Sequence, residues 1–240
     1  MELFKDKVVV ITGGSQGIGY ATAVKMAEEG AIVYACARRE KEFDHENIHY
    51  HPLDVTDEES CRKLYEDVIE RHGKIDVLVA NAGITKDAMT RKMTGEDFDS
   101  VINTNLKGIF NLVRYFGAKM EEQGNGSIIA VSSVVGEQGN IGQANYAASK
   151  AGIIGMCKTW AKEFSRKGAQ VRVNVIAPGY VLTDMVKSVP GDLLEKFAGQ
   201  TMLKRLAEPE EIADVITFIA SDKASYITGT VIDVNGGMRL

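Results

Sequence analysis

Short apolar runs alternate with longer amphipathic stretches along the whole chain. Seven of these runs have the length and β-branched content of buried strands, at residues 8–11, 31–37, 48–53, 75–80, 127–132, 171–177 and 231–234. Most of the segments between them place apolar residues at helical spacing, as Cys61, Leu64 and Val68 do. This alternation predicts an α/β fold, a single doubly wound Rossmann-type domain with a mostly parallel seven-stranded sheet and helices on both faces.

Three connections depart from the regular alternation. Only about eight residues separate Arg39 from Ile48, too few for a crossover helix of ten or more, so we expect a clipped connection there. A helix over 95–123 should be interrupted at 103–105, whereas Pro209 should begin a clean helix. The mixed segment 184–205 has the composition of a mobile substrate lid.

Composition narrows the class of protein. The 240 residues are 45% hydrophobic and 25% charged, which favours one domain spanning 1–240. The formal charge of −5, with scattered basic residues, argues against a nucleic-acid partner, and no apolar run is long enough for a membrane helix. Cys36, Cys61 and Cys157 lack a CxxC pattern, which predicts core residues in a reducing, cytoplasmic compartment.

A glycine-rich loop follows the first strand and precedes a helix. Its glycines are Gly13, Gly17 and Gly19, a spacing that differs from the common dinucleotide fingerprint. Glycines let the backbone approach a pyrophosphate, whose charge the free N–H groups of a helix N-terminus would meet. The alternative is an ordinary glycine-rich turn.

Two polar positions at the ends of the next strands indicate an adenosine site. Arg38 and Arg39 close the second strand, where arginine suits the 2′-phosphate of NADP(H) and an acidic residue would suit NAD(H). NAD(H) is therefore the less favoured cofactor; the less favoured alternative for Arg38 is an ordinary solvated arginine at a strand end. Asp54 follows the third strand, where it could meet an adenine amino group or cap a helix.

Histidines near the third strand do not form a convincing metal site. His45, His49 and His51 lie close together, but alternation puts only the last two on one strand face. With no carboxylate or fourth ligand in the pattern, we expect no metal.

Candidate acid–base chemistry lies at Tyr146 and Lys150, which share one helix face. A lysine ammonium one turn away should favour the phenolate and lower the tyrosine pKa from its usual value near ~10. Tyr115 and Lys119 show the same spacing, so the pattern alone also describes a solvated pair. What distinguishes Tyr146 is Ser133 thirteen residues upstream, just after an apolar strand.

Several motifs together resemble one known family. The sequences TGGSQGIG at 12–19, NAG at 81–83 and PGYVLT at 178–183, with Asn105, Ser133 and Tyr146-x-x-x-Lys150, are similar to the classical short-chain dehydrogenase/reductases over the whole chain. Within that family, residues 132–152 and the tail SYITGTVIDVNGGM look most like the 3-oxoacyl-[acyl-carrier-protein] reductase branch.

The resemblance implies catalytic roles for four residues. Tyr146 would donate a proton to the ketone oxygen, and Ser133 would stabilise the charge that develops there. Lys150 would hold the nicotinamide ribose and lower the tyrosine pKa, and Asn105 would position a water that resupplies the proton.

The resemblance also implies a cofactor site and partners. The substrate would be a 3-oxoacyl thioester, on acyl carrier protein or coenzyme A, reduced in fatty acid biosynthesis by a homotetramer. The cofactor-binding residues it implies are Gly13, Ser15, Gln16, Gly17, Ile18, Gly19, Arg38, Arg39, Asp54, Val55, Asn81, Ala82, Gly83, Tyr146, Lys150, Pro178, Gly179, Val181 and Thr183.

Three departures from the family pattern stand out. Ser15 and Gln16 occupy the loop where many NADP-using members carry arginine, and the connection after Arg39 is shortened. Residues 120–126 read MEEQGNG where the family presents basic side chains to a carrier protein. Two other functions therefore stay open: an alcohol, sugar or ketone dehydrogenase of other specificity, and an inactive NADP-binding sensor or scaffold.

Overall fold

A seven-stranded sheet forms the centre of the fold in the computed structural model, which describes residues 3–183 and 191–238. All neighbouring strands are parallel, in the order β3-β2-β1-β4-β5-β6-β7. The predicted doubly wound sheet is thus confirmed. Its strands are β1 Val8–Thr12, β2 Ile32–Ala37, β3 Ile48–Pro52, β4 Val77–Ala80, β5 Asn125–Val131, β6 Gln170–Pro178 and β7 Val231–Val234.

Helices cover both faces of the sheet. They are α1 Gly17–Glu28, α2 Glu58–His72, α3 Gly95–Ile102, α4 Gly108–Gln123, α5 Val135–Gln138, α6 Ala144–Glu163, α7 Gly191–Gln200 and α8 Pro209–Ala220. Apolar side chains of α2, α4 and α6 form one buried core, and those of α1 and α8 form the other. Because both faces are covered, β1 and β4 at the centre are buried along their whole length, whereas the edge strand β3 is mostly half-buried or exposed.

The strand order places the carboxyl ends of the central strands around one crevice. The chain runs from β1 outward to β3 and then returns to β4 on the other side of β1. Ligands of open α/β sheets bind at such a switch point. The loops after β1, β4, β5 and β6 therefore meet at one edge of the sheet.

Local signals explain most element boundaries. The Asp57 side chain accepts a hydrogen bond from the Glu59 N–H and caps α2, so the helix-cap interpretation of Asp54 was wrong. Pro209 begins α8, as predicted, and residues 38–47 contain no helix. The interruption near 103–105 is a π-helical turn over Asn103–Lys107, whereas the short helix α5 was not predicted.

The residues on either side of the segment predicted as a lid pair with each other. Val181 pairs with Ala207 in an isolated bridge, and the Leu182 N–H donates to the Ala207 carbonyl at 2.8 Å. Residues 184–190 lie outside the described residues, and α7 occupies part of the remainder. Among the helices of the described ranges, none is both long and apolar enough to cross a membrane. Likewise, the described residues contain no group of three or more His, Cys, Asp or Glu placed to hold a metal ion.

Candidate active site

One large cavity of about 1320 Å³ opens at the carboxyl ends of the central strands. It collects almost every predicted site residue on its wall, while Asn105 and Gly19 lie immediately behind that wall. The predicted residues that line it are Gly13, Ser15, Gln16, Gly17, Ile18, Arg38, Arg39, Asp54, Val55, Asn81, Ala82, Gly83, Ser133, Tyr146, Lys150, Pro178, Gly179, Val181 and Thr183.

The glycine loop has the geometry of an anion site. Gly13 and Gly17 have φ of +66° and +53°, which favours glycine at both positions. A Cβ on Gly19 would collide with the Gly13 carbonyl oxygen, so this glycine permits close packing of loop and helix. The first turn of α1 holds no acidic residue, and Gln16 makes no side-chain cap. The helix N-terminus therefore presents its N–H groups without a competing carboxylate.

A threonine and an asparagine join the glycine loop to the end of β4. The Thr12 hydroxyl accepts hydrogen bonds from the Asn81 and Ala82 N–H groups, both at 3.0 Å. The Asn81 amide donates to the Thr12 and Gly13 carbonyls at 3.1 and 3.3 Å. Thr12 was not among the predicted catalytic or cofactor-binding residues. Its position, a hydroxyl residue at the strand end next to the loop, was the available signal.

The part of the cavity at the ends of β2 and β3 suits an adenosine. Arg38 and Arg39 line it at the end of β2, beside Asp54 after β3. Asp54 accepts hydrogen bonds from the Thr56 N–H and hydroxyl, at 2.9 and 2.7 Å. Burial opposes ionisation of Asp54, but these hydrogen bonds and the charge of Arg38 hold its pKa below the ordinary value. The Asp54 carboxylate is therefore charged where it lines the cavity, and its hydrogen bonds to Thr56 fix its direction.

Ser133 and Tyr146 bring two hydroxyl groups together at the centre of the cavity. Ser133 follows β5, and its Oγ accepts the Val135 N–H at 3.2 Å. Gly136 lets α5 pack closely on α6, since a Cβ there would lie 2.8 Å from the Lys150 backbone. Burial raises the pKa of Tyr146 to about 12, although its hydrogen bond with Ser133 acts in the opposite direction. Tyr146 is thus a protonated donor at neutral pH.

Lys150 lies behind Tyr146, and here one prediction was wrong. Its ammonium donates to the Val131 carbonyl at 2.7 Å and lies 5.5 Å from the centre of the Tyr146 ring. Because Lys150 is only 4% exposed, desolvation lowers its own pKa to about 8. The expected lowering of the tyrosine pKa by Lys150 is therefore not observed, since desolvation of the phenolate outweighs a charge held by a carbonyl.

Asn105 braces the loop after β4 from inside the π-helical turn. Its Oδ1 accepts the Ile84 N–H at 2.8 Å, and its Nδ2 donates to the Ile84 carbonyl at 3.0 Å and to the Ser149 hydroxyl at 3.1 Å. A Cβ built on Gly83 would lie 3.3 Å from Asn105 Oδ1 and 3.6 Å from Lys150 Nζ. The Asn105 side chain thus holds a backbone kink next to Lys150, within the stretch where the helix was expected to be interrupted.

The second Tyr–Lys pair has a different environment. Tyr115 stacks on Tyr65 with ring centres 5.6 Å apart, and the Lys119 ammonium pairs with Glu122 at 3.2 Å. Neither residue lines the cavity. Burial beside Ser133, rather than the i,i+4 spacing, is what separates the two pairs.

A polar and aromatic group closes the side of the cavity away from the glycine loop. Asn140 donates to Gln143 at 2.9 Å and to the Tyr180 hydroxyl at 3.4 Å, and Gln143 donates to Asp87 at 2.9 Å. The Tyr180 ring stacks on Phe197 of α7, with centres 4.0 Å apart. Tyr180 lies in the PGYVLT motif and Asn140 and Gln143 lie within residues 132–152, but neither stretch predicted that these side chains would meet.

Comparison with known proteins agrees with this geometry. A family model described as "Enoyl-(Acyl carrier protein) reductase" matches residues 13–239. The chain belongs to the short-chain dehydrogenase/reductase family. Proteins of this family are oxidoreductases that use a nicotinamide cofactor, which accounts for a glycine loop and a Tyr–Lys pair on one cavity.

Individual short-chain reductases resemble the chain over nearly its full length. It is 47% identical to "3-oxoacyl-[acyl-carrier-protein] reductase FabG" of Thermotoga maritima, over 98% of both chains. It is also 43% identical to the "Acetoacetyl-CoA reductase" of Shinella zoogloeoides, over 97% of this chain and 98% of the relative. The solved structure of gox2181 superimposes with a TM-score of 0.92 at 32% identity, covering 99% of this chain and 98% of the other.

Proposed function

We propose that this protein reduces the ketone of 3-oxoacyl thioesters to 3-hydroxyacyl thioesters with NADPH, as a step of fatty acid biosynthesis. The observation that carries the proposal is the hydrogen-bonded pair of hydroxyls, Ser133 and Tyr146, on the same cavity as the glycine loop. Full-length relatives with identities of 42–47% named for this reaction support the substrate class.

The residues of the cavity fit a dinucleotide. The first turn of α1, free of carboxylates, would receive the pyrophosphate, and Arg38 with Arg39 would meet a 2′-phosphate. Asp54 would accept from the adenine amino group. Thr183 lies across from the glycine loop, its methyl group 2.9 Å from the place of a Cβ on Gly17, in position to border the nicotinamide amide. When bound, NADPH would supply the hydride for ketone reduction.

The acid–base work belongs to the chain's own residues. Tyr146 is neutral at physiological pH and so holds the proton that the reduced ketone oxygen requires. The Ser133 hydroxyl would donate a hydrogen bond to the same ketone oxygen and stabilise the negative charge that develops on it. Lys150, charged below pH about 8, would hold the ribose hydroxyls of the nicotinamide half. Asn105 would keep the adjacent backbone in place for a water that restores the proton.

Two hydroxyl groups aimed at one point favour a carbonyl substrate over a carbon–carbon double bond. A ketone oxygen accepts two hydrogen bonds and gains charge on the atom bonded to the carbon that receives the hydride, whereas reduction of an enoyl thioester places the charge on the thioester oxygen, two carbons away. We therefore favour the ketone reaction named for the curated relatives over the enoyl reaction in the description of the family model.

The carrier of the thioester is open between acyl carrier protein and coenzyme A. Relatives named for both kinds of thioester match the chain. Near residues 120–126, Lys167 lies 3.6 Å from Glu121, so the charge of this lysine is neutralised. An acidic carrier protein would gain little attraction from this surface.

We further propose a cytoplasmic homotetramer. Cys36, Cys61 and Cys157 are free and buried, as expected in a reducing compartment. Phe218 and Tyr226 are 45% and 102% exposed, and β7 lies at the sheet edge. Exposed aromatic side chains with a strand edge are typical of subunit contacts.

The test is oxidation of NADPH with acetoacetyl-CoA and with an acetoacetyl carrier protein, beside NADH and a panel of simple alcohols with NADP⁺. We expect thioester reduction, with Tyr146→Phe and Ser133→Ala lowering kcat/KM by roughly 10²–10⁴-fold and 10–10³-fold. Activity on alcohols alone would move the protein to a dehydrogenase of other specificity. Unchanged turnover by Tyr146→Phe would refute the mechanism and revive the sensor or scaffold interpretation.

A further inference from the structure

The shortened connection between β2 and β3 is held against α1 by an aromatic stack. Phe43, in the middle of the connection, stacks on Tyr20 of α1, with ring centres 5.6 Å apart and planes 18° from parallel. The Lys41 ammonium lies 5.3 Å from the centre of the Tyr20 ring. Tyr20 is 36% exposed, whereas Phe43 is partly buried and packs against the edge of the core, so the Tyr20 ring lies at the surface side of the stack.

The remaining hydrogen bonds fix only the two ends of this connection. At the start, the Tyr50 hydroxyl and the Leu53 N–H both donate to the Ala37 carbonyl at 3.0 Å. At the end, the Asn47 carbonyl accepts the Val33 N–H at 2.8 Å. Between these anchors the described chain has no helix, so the Phe43 contact is what joins the middle of the connection to another element.

This stack lies between the two parts of the cofactor site. Tyr20 is on the first turn of α1, next to the glycine loop, and Arg38 and Arg39 begin the connection that Phe43 holds. The end of β2 fixes the backbone directly before Arg38, and how closely the rest of the connection packs on α1 then affects where the two guanidinium groups lie relative to the pyrophosphate region. A helix in this connection would set that placement by its own rigidity, which a clipped connection lacks.

We propose that Tyr20, Phe43 and Lys41 form a clamp that positions Arg38 and Arg39 for the 2′-phosphate and so sets the preference for NADPH over NADH. This inference rests on the proposed function, because it assumes an NADPH-selective protein. The clamp residues are positioning residues and act through the two arginines. Stacked aromatic pairs change an equilibrium by roughly twofold to tenfold, which is the scale of effect expected here.

The experiment is calorimetric titration of the full chain with NADP⁺, NAD⁺ and adenosine 2′,5′-bisphosphate, which needs no turnover. Phe43→Ala should weaken NADP⁺ and the bisphosphate by roughly threefold to tenfold and leave NAD⁺ within about twofold. Phe43→Tyr keeps a flat ring and should bind as the parent does. Tyr20→Ala removes the other ring from an exposed position, so the test stands even if Phe43→Ala unfolds.

Each outcome separates the clamp from the proposed function. Equal weakening of NADP⁺ and NAD⁺, or no change in either variant, would overturn the clamp while the parent still prefers NADP⁺. A parent protein without that preference would instead refute the NADPH part of the proposed function. Hydrogen exchange across residues 38–47 should rise in Phe43→Ala and not in Phe43→Tyr if the clamp holds the connection.

Discussion

The lowered pKa of Lys150 predicts how the reduction should depend on pH. In the proposed mechanism the Lys150 ammonium holds the cofactor ribose, and desolvation lowers the pKa of this lysine to about 8. Roughly 90% of the molecules then carry the charge at pH 7 and roughly 10% at pH 9. Because Tyr146 stays protonated until pH about 12, the lysine alone should shape the profile in this range. We therefore expect about a tenfold fall in kcat/KM between pH 7 and pH 9.

The assay needs a substrate that does not ionise in the same range. A 2,2-dimethyl-3-oxoacyl thioester cannot form the enolate between its carbonyls, so any break in the profile belongs to the protein. The quantity to measure is kcat/KM for NADPH at saturating ketone from pH 6.5 to 10, since this ratio reports groups of the free protein.

A matched variant makes the assignment specific. Lys150→Arg keeps a cation at all these pH values, and whatever its absolute activity its profile should stay flat up to pH 10. A parent profile that is also flat to pH 10, or a Lys150→Arg profile that still breaks near pH 8, would refute the assignment of the titrating group to Lys150.

Two further substitutions test the packing of the site. Gly19→Ala should lower the thermal midpoint and weaken dinucleotide binding, because the new methyl would meet the Gly13 carbonyl and lie 2.7 Å from Asn81 Nδ2. The control is Gly199→Ala on α7, whose methyl meets nothing within 4 Å and should not lower the midpoint. Differential scanning calorimetry compares the two variants, and equal midpoints would contradict the clash. Asn105→Ala leaves the Ile84 N–H and carbonyl without their partner, so it should lower the free energy of unfolding by about 2–4 kcal/mol. Urea titrations measure this change, and an unchanged urea midpoint would show that water replaces the amide.

Much of the sheet was predictable because buried parallel strands are short, apolar and β-branched. The first-strand, glycine-loop and helix succession was equally clear, since glycine is favoured at the positive φ of Gly13 and Gly17. The clipped connection after Arg39 followed from counting residues, and the helix beginning at Pro209 from proline chemistry.

The failures lie where distant segments meet. The pKa of Tyr146 depends on desolvation and on the Val131 carbonyl that receives the Lys150 ammonium, and neither is visible in a local spacing. The hydrogen-bonded group of Asn140, Gln143 and Tyr180 is likewise assembled from separate loops. The cap of α2 was ambiguous because Asp54 and Asp57 are both acceptable residues before a helix, and only the backbone geometry chooses between them.

The bridge between Val181 and Ala207 brings the two ends of the intervening segment together, so this segment can be exchanged as a unit. Its two ends are joined to each other, so a replacement of different length or sequence can begin and finish at the same points on the sheet. Ser133, in the loop after β5, and Tyr146 and Lys150, on α6, all lie outside it. New substrate ranges can therefore arise by recombination of one surface segment, with the proton donor and its neighbours inherited intact.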